Sequence, residues 1–262
     1  NLNGGTIQSN VATFSRPLTV TASNSGLDAY GSVRTISSAI TLATAGTFNL
    51  NIGGTYAASA EGQELTLSGI ISNTSGTLSL TKIGTSTAIL SGTNTYTGST
   101  TVSTGILRAN TSNIIASTNG PFGNNAGGLN LNGGTIQSNV ATFSRPITVT
   151  ATNSGIDAYG SARTISSAID NASGSTYNLN IGGTTAASAE GHDLTLSGVI
   201  SNSSGTLGLT KIGTSKVILS GTNTFTGGVT LNAGTLNIDN NQALGTSAGT
   251  FTIAGGTIDA ST

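Results

Sequence analysis

The sixteen residues Leu2–Pro17, LNGGTIQSNVATFSRP, recur without change as Leu131–Pro146. The two copies stay aligned without a gap as far as Gly98 and Gly227, with about four positions in five identical. A third copy opens at Ile253 with IAGGTIDAST. Self-similarity at a fixed period is typical of repeat architectures, in which stacked units bury a core that no single unit can form. The sequence therefore predicts a solenoid.

The offset of 129 residues between the copies is too long for one turn of a solenoid. Each copy is therefore predicted to contain several coils of roughly 20 residues. We assign copy one to about 2–130, copy two to about 131–252 and the start of a third copy to 253–262, all within one continuous β-helix. Copy one carries about seven extra residues, which we place in a loop at Asn110–Asn119.

Short runs in which apolar residues alternate with small polar ones recur through each copy, for example at 78–80, 88–90, 100–102 and 105–107. Such alternation predicts strands that bury one face. Gly, Asn and Thr interrupt the runs every 5–12 residues or so, which leaves no room for helices. Parallel coiling explains this spacing better than a sandwich does, because stacked coils share one apolar interior.

The composition excludes several classes of protein. Only 6% of the 262 residues are charged and the formal net charge is -1, whereas a typical soluble domain has about 25% charged residues. The five Arg and three Lys are scattered, so we expect no nucleic-acid partner. No apolar run reaches the roughly 20 residues of a membrane span. The absence of Cys excludes disulfides and suits a chain that is exported unfolded.

One long pattern occurs in both copies. Gly76–Leu107 read GTLSLTKIGTSTAILSGTNTYTGSTTVSTGIL, and Gly205–Leu236 read GTLGLTKIGTSKVILSGTNTFTGGVTLNAGTL. Both closely resemble the passenger-associated transport repeat of autotransporter-like proteins, whose pattern contains LTK-x-G, LSG-x-NTYTG and a strand ending near GTL. Pro121–Ile136 and Ala243–Ile258 resemble the family's usual continuation. The resemblance implies an all-β fold, specifically a right-handed single-stranded parallel β-helix (β-solenoid), and export to the bacterial cell surface.

No pattern predicts a catalytic, cofactor-binding or metal site. His192 is the only His, and its counterpart in copy one is Gln63. A Ser-His-Asp triad needs an imidazole as its general base, so one copy at most could carry a triad. We interpret His192 as a solvated corner residue. The Gly pairs are followed by Thr and not by the Asp of calcium-binding β-rolls, which disfavours calcium.

Two pairs of carboxylates, Glu61 with Glu64 and Glu190 with Asp193, stand three positions apart. Glycosidases need two carboxylates that face one bond, whereas residues three apart on an extended chain point to opposite faces. We interpret these acids as exposed corner charges. Polysaccharide cleavage is the less favoured alternative.

A few charged and aromatic residues also repeat. Arg16, Asp28 and Arg34 of copy one recur as Arg145, Asp157 and Arg163. We predict that they form a structural ion pair between neighbouring coils or across a lateral contact, with ligand binding as the alternative. Tyr30 and Tyr159 are predicted to be half-buried packing residues, and the alternative is a platform for sugar stacking.

Near-exact repetition and the scarcity of catalytic residue types favour a structural role. We expect a rod, stalk or extracellular fibre at the cell surface that associates with itself end to end or side by side, and we do not expect an enzyme or a cofactor. The alternative is an adhesin whose polar face binds glycans or neighbouring cells.

Overall fold

The computed structural model describes residues 1–54, 63–110, 119–124, 127–183 and 192–260. Within these ranges the regular secondary structure consists of β-strands, and these strands pair in parallel. The chain divides into two compact units, Asn1–Leu129 and Asn130–Thr262. No helix long and apolar enough to cross a membrane occurs in the described part of the chain.

Unit 1 consists of coils whose successive strands fall on three parallel sheets, in the orders β1-β4-β7-β10, β2-β5-β8-β11-β13 and β3-β6-β9-β12-β14. Its strands are β1 (Leu2–Asn3), β2 (Thr6–Ser9), β3 (Thr13–Phe14), β4 (Leu18–Ala22), β5 (Ser25–Ala29), β6 (Arg34–Ile36), β7 (Ile40–Leu42), β8 (Thr47–Ile52), β9 (Leu65–Leu67), β10 (Ile71–Asn73), β11 (Thr77–Lys82), β12 (Thr87–Leu90), β13 (Thr100–Val102) and β14 (Ile106–Ala109).

Unit 2 repeats this plan, with sheet orders β15-β18-β21-β24, β16-β19-β22-β25-β27-β29 and β17-β20-β23-β26-β28-β30. Its strands are β15 (Leu129–Leu131), β16 (Thr135–Ser138), β17 (Thr142–Phe143), β18 (Ile147–Val149), β19 (Ser154–Ala158), β20 (Arg163–Ile165), β21 (Ile169–Asp170), β22 (Thr176–Ile181), β23 (Leu194–Leu196), β24 (Ile200–Ser201), β25 (Thr206–Lys211), β26 (Lys216–Leu219), β27 (Val229–Leu231), β28 (Thr235–Ile238), β29 (Phe251–Ile253) and β30 (Thr257–Ala260).

The core of each unit is a set of apolar columns in which residues of the same kind lie directly above one another. In β8 and β11, Leu50 pairs in register with Leu80, and both side chains are fully buried. Along each strand, the residues that alternate with the buried ones face outward, as the two-residue period of a strand requires. A shift by one residue would expose the whole apolar set, so the apolar pattern fixes the register of stacking.

The predicted parallel β-helix is confirmed, and so are the strands predicted at 78–80, 88–90 and 100–102. The predicted coil length of roughly 20 residues holds for several coils in each unit but not for all of them. Leu80 pairs with Thr100, 20 positions later, but Thr47 pairs with Thr77, 30 positions later. The longer coil arises because twelve residues separate β8 from β9. The prediction of one continuous β-helix over 1–262 stays a prediction.

Asparagine and glycine occupy the left-handed corners. Asn24 has φ 59° and Asn153, its counterpart in unit 2, has φ 64°. Asn tolerates this conformation better than other residues with a side chain, because its short amide bonds locally. The Asn and Gly residues predicted at corners therefore mark positions where the backbone has a positive φ.

Candidate functional site

Each unit buries one lysine at an inward position of its apolar core. Lys82 is the last residue of β11 and pairs with Ile52 on one side and Val102 on the other. Its side chain is fully buried, and so is that of Lys211 in unit 2. An ammonium group therefore replaces an aliphatic side chain within a column of the core. Buried charges are costly unless hydrogen bonds compensate them.

Backbone carbonyl oxygens supply that compensation. Nζ of Lys82 donates to the carbonyls of Ile83 at 2.6 Å and Gly84 at 2.8 Å, both in its own coil. A third bond, of 3.2 Å, goes to the carbonyl of Thr104 in the next coil. All three donor positions of the ammonium are thus used, and the lysine closes the corner that two coils form together.

Lys211 repeats the arrangement in unit 2. Its Nζ donates to the carbonyls of Ile212 at 2.6 Å, Gly213 at 2.9 Å and Ala233 at 3.1 Å. We call each lysine with its three carbonyls a lysine corner. The same geometry in two copies of the repeat shows that the lysine corner is a property of the LTK-x-G sequence.

Burial shifts the titration of both lysines. Desolvation lowers the pKa of Lys82 from its ordinary 10.5 to about 7, and the carboxylate of Asp28 offsets part of that effect. Desolvation lowers the pKa of Lys211 to about 8, and the negative charge of Asp157 offsets part of that effect. Both directions follow from the cost of placing a charge away from water.

Where the first sheet of unit 1 ends, the side chain of a buried asparagine accepts the hydrogen bond that a backbone carbonyl accepts one coil earlier. One coil earlier, the N–H of Ile40 donates to the carbonyl of Ile70 at 2.9 Å. At the next level the N–H of Ile71 donates to Oδ1 of Asn94 at 2.8 Å. Nδ2 of Asn94 then donates to the carbonyl of Pro121 at 2.7 Å. Asn94 therefore links the strand of one coil to the chain of a later one.

Asn223 makes the same bridge in unit 2. Its Oδ1 accepts from the N–H of Ile200 at 2.8 Å and its Nδ2 donates to the carbonyl of Ala243 at 2.7 Å. The side chain is almost fully buried, so water is not available to replace either bond. The Asn of the NT-x-TG sequence is thus a connector between coils.

Replacing Asn223 by alanine should destabilise the protein by about 2–4 kcal/mol, because a buried N–H and a buried carbonyl lose their partners. Urea unfolding of the full chain, followed by circular dichroism, measures the change. Asn241→Ala is the control, since Asn241 is exposed, and should leave the midpoint unchanged. Equal stability of the Asn223 variant and the control would contradict the assigned role.

Next to these bridges the two copies differ in a coordinated way. In unit 1 the hydroxyl of Tyr96 bonds to Oγ1 of Thr100 at 2.6 Å inside the core. In unit 2 the corresponding positions are Phe225 and Val229, and both are buried. Replacing both partners of a buried hydrogen bond by apolar groups of similar shape is close to neutral. The core therefore accepts either pair as a unit.

Asp28 and Arg34, two of the residues predicted to form an ion pair, bond to other partners in unit 1. Asp28 is buried and accepts hydrogen bonds from Nε2 of Gln8 at 3.3 Å and from the N–H of Ala29 at 2.8 Å. Nε of Arg34 donates instead to the carbonyls of Ser9 at 3.1 Å and Tyr30 at 3.2 Å. The two side chains start from different strands and serve different corners. In unit 2, Asp157 likewise accepts from Gln137.

Arg16 is exposed, whereas its counterpart Arg145 is buried. Arg163 donates to the carbonyl of Tyr159 at 3.0 Å and to Oδ1 of Asn139 at 2.6 Å. The structural role predicted for the repeated arginines thus takes the form of bonds to backbone and amide oxygens at Arg34 and Arg163.

Two ion pairs join coils through the acids interpreted as exposed corner charges. Glu64 pairs with Arg108 at 3.0 Å, and its counterpart Asp193 pairs with Lys216 at 3.2 Å. Glu64 is half-buried and paired, so the interpretation as an exposed corner charge describes it only in part. The other members of the two carboxylate pairs, Glu61 and Glu190, lie outside the described residues, as does the core of the loop placed at 110–119.

The remaining candidates are placed as follows. His192 is half-buried. Within the described residues, no group of three His, Cys, Asp or Glu side chains is arranged to hold a metal ion. Tyr159 is half-buried as predicted, but Tyr30 is 51% exposed. The difference shows that identical DAYGS segments present different surfaces in the two units.

Sequence reasoning missed the lysine corners, although a signal for them was present. Leu78, Leu80 and Lys82 stand two positions apart, and the period of a strand places all three on one face. The predicted run ends at Leu80, and the lysines count among the scattered charges of the chain. Strict use of the period would have placed Lys82 inside.

A family model for the passenger-associated-transport-repeat matches residues 80–109 and 209–238. These matches confirm the resemblance predicted from the sequence. Each matched range contains one lysine corner and the asparagine of one bridge. This family implies a secreted or surface location. No curated protein and no solved structure matches the chain.

Proposed function

We propose that this chain, which carries two passenger-associated-transport-repeats, is a structural segment of a secreted or surface-exposed bacterial passenger. It would act as a rod, stalk or fibre element that carries other parts of the protein away from the cell and associates with further copies. The proposal assigns the chain no catalytic role.

The observation that carries the proposal is how the family's characteristic residues are used. The buried lysine and asparagine of each unit bond to backbone groups of neighbouring coils. These residues are Lys82 and Asn94 in unit 1 and Lys211 and Asn223 in unit 2. All four side chains are buried, which leaves them unable to contact a substrate. The part of the sequence that matches the family therefore serves to join coils, as a rod or spacer requires.

Electron microscopy and small-angle X-ray scattering of the purified full chain test the proposal. Elongated particles that join end to end or side by side as concentration rises would support it. The scarcity of charge, with a formal net charge of -1, favours such association because copies repel each other weakly. Compact particles that stay monomeric at all concentrations would contradict it.

One observation favours a second function, adhesion to glycans. Tyr30 is about half exposed, and Nε of Arg34 donates to the carbonyl of Tyr30. Exposed aromatic rings with a polar group beside them suit the stacking and hydrogen bonding that sugars require. Saturable binding on a glycan array that Tyr30→Ala abolishes would support adhesion. Binding that the variant retains, or no binding at all, would contradict it.

A further inference from the structure

The lysine corners have a feature that stability alone does not explain. Lys82 occupies a position that Ile52 and Val102 fill in the adjacent coils. An aliphatic residue there would avoid the cost of burying an ammonium, and apolar replacements of buried charges are often neutral or stabilising. The retention of lysine at the same place in both units calls for a role outside the finished core.

We look for that role during folding, when only some of the coils have been stacked. Repeat proteins fold by adding units to an existing nucleus, so each coil is for a time the open edge. Before the coil of Thr104 has been added, Lys82 holds two of its three carbonyl partners, those of Ile83 and Gly84. The third, from Thr104, arrives only with the next coil. An open edge at β11 therefore presents an inward-facing ammonium.

The coil that covers the lysine must meet a strict steric condition. Gly105 lies over Lys82 with φ 66°, and a Cβ at this position would come within 2.8 Å of Nζ. Gly234 lies over Lys211 with φ 69°, where a Cβ would come within 2.7 Å of Nζ. A Cβ at Gly105 would also lie 2.4 Å from the carbonyl oxygen of Gly84 and 2.6 Å from that of Ser86. The backbone of the covered coil together with the ammonium therefore requires a left-handed glycine at this corner.

We propose that Lys82 and Lys211 are gatekeepers of coil stacking: at an open edge they oppose pairing with a strand from a second copy of the chain, and they accept the next coil of their own chain. Inward-pointing charges are a known means of protecting strand edges from aggregation. The next coil satisfies the lysine with one carbonyl and one left-handed glycine. A foreign apolar strand would bury the charge without either.

The electrostatic surroundings agree with this role. Asp28 lies on β5 and Asp157 on β19, each two strands before its lysine in the sheet order. Within the described residues, these carboxylates are the charged groups that act on Lys82 and Lys211 respectively. Burial lowers the pKa of both lysines. At an open edge the lysines are hydrated, keep their ordinary pKa and carry the charge that the gatekeeper needs.

The test is refolding of the full chain from urea at several protein concentrations. In the double variant Lys82→Met with Lys211→Met, a residue of similar volume removes the charge. We expect several-fold more aggregate than in the wild type, increasing with concentration, while the recovered native fraction unfolds at a urea midpoint close to that of the wild type. Lys216→Met is the matched control, since Lys216 is partly exposed and pairs with Asp193, and should refold like the wild type.

Two outcomes would overturn the proposal. One is an unchanged yield of the double variant, and the other is a loss of yield explained by a proportionate loss of native stability. If the double variant yields no native fraction, refolding of the wild type at pH 8 and pH 11 decides. Aggregation that rises at pH 11, where an exposed lysine loses its charge, supports the gatekeeper although net negative charge has grown. Aggregation that stays equal or falls overturns it.

Discussion

Replacing Gly69 by alanine should unfold the coils of unit 1 around β9. A Cβ at Gly69 would lie 1.9 Å from the carbonyl oxygen of Ser38 and 2.4 Å from its carbonyl carbon. Both atoms belong to the backbone of the coil below, so no rotamer change can remove the overlap. The N–H of Gly69 also bonds to the carbonyl of Ile36 in that coil. Because the coils must separate to admit the methyl group, we expect a loss of about 3 kcal/mol or more.

Thermal and urea unfolding of the full chain measure the effect. Gly5→Ala is the matched control, because Gly5 is in the same unit and a Cβ there would meet no atom within 4 Å. The control should unfold within about 0.5 kcal/mol of the wild type, as surface substitutions usually do. Gly198→Ala should reproduce the loss in unit 2, since a Cβ there would lie 1.9 Å from the carbonyl oxygen of Ser167. Variants of Gly69 and Gly5 with equal stability would contradict the close stacking of coils.

Most of the fold could be predicted because two sequence patterns, the long repeat and the alternation of apolar with polar residues, each follow from a physical requirement of the fold. The repeat reports that coils supply one another's core, and the alternation at 78–80 and 88–90 reports which side chains face it. Register follows from the same pattern. The length of individual coils does not follow, because the number of residues between two strands does not alter the apolar pattern within them. Twelve residues separate β8 from β9.

The site was harder to predict because it is made of polar residues used against their usual preferences. Lys82 and Asn94 are fully buried, whereas Lys and Asn are mostly exposed in proteins. Their partners are backbone atoms of other coils, such as the carbonyls of Thr104 and Pro121. A backbone partner leaves no mark in the sequence. Only the position of each residue within its strand or motif could have indicated the contacts.

The buried lysines also make stability depend on pH. Well below pH 7 the lysines are protonated in both the folded and the unfolded chain, so they add no pH dependence there. Between the lowered pKa of about 7 for Lys82 or about 8 for Lys211 and the ordinary value of 10.5, the unfolded chain binds more protons than the folded chain. Stability rises with pH wherever the unfolded state binds more protons. The free energy of unfolding should therefore increase as pH is raised from 7 toward 9.5.

Each pH unit in this window adds up to about 1.4 kcal/mol for a lysine that is neutral when folded and charged when unfolded. The carbonyls around Nζ favour the protonated form, so we expect a total rise of a few kcal/mol. Urea midpoints of the full chain at pH 7, 8 and 9 measure it. The double variant Lys82→Met with Lys211→Met should lose the rise, and Lys216→Met should keep it, because Lys216 is partly exposed. A wild-type midpoint that is level or falls over this range would show that the ammonium groups stay charged inside the stack, held by their carbonyl partners alone.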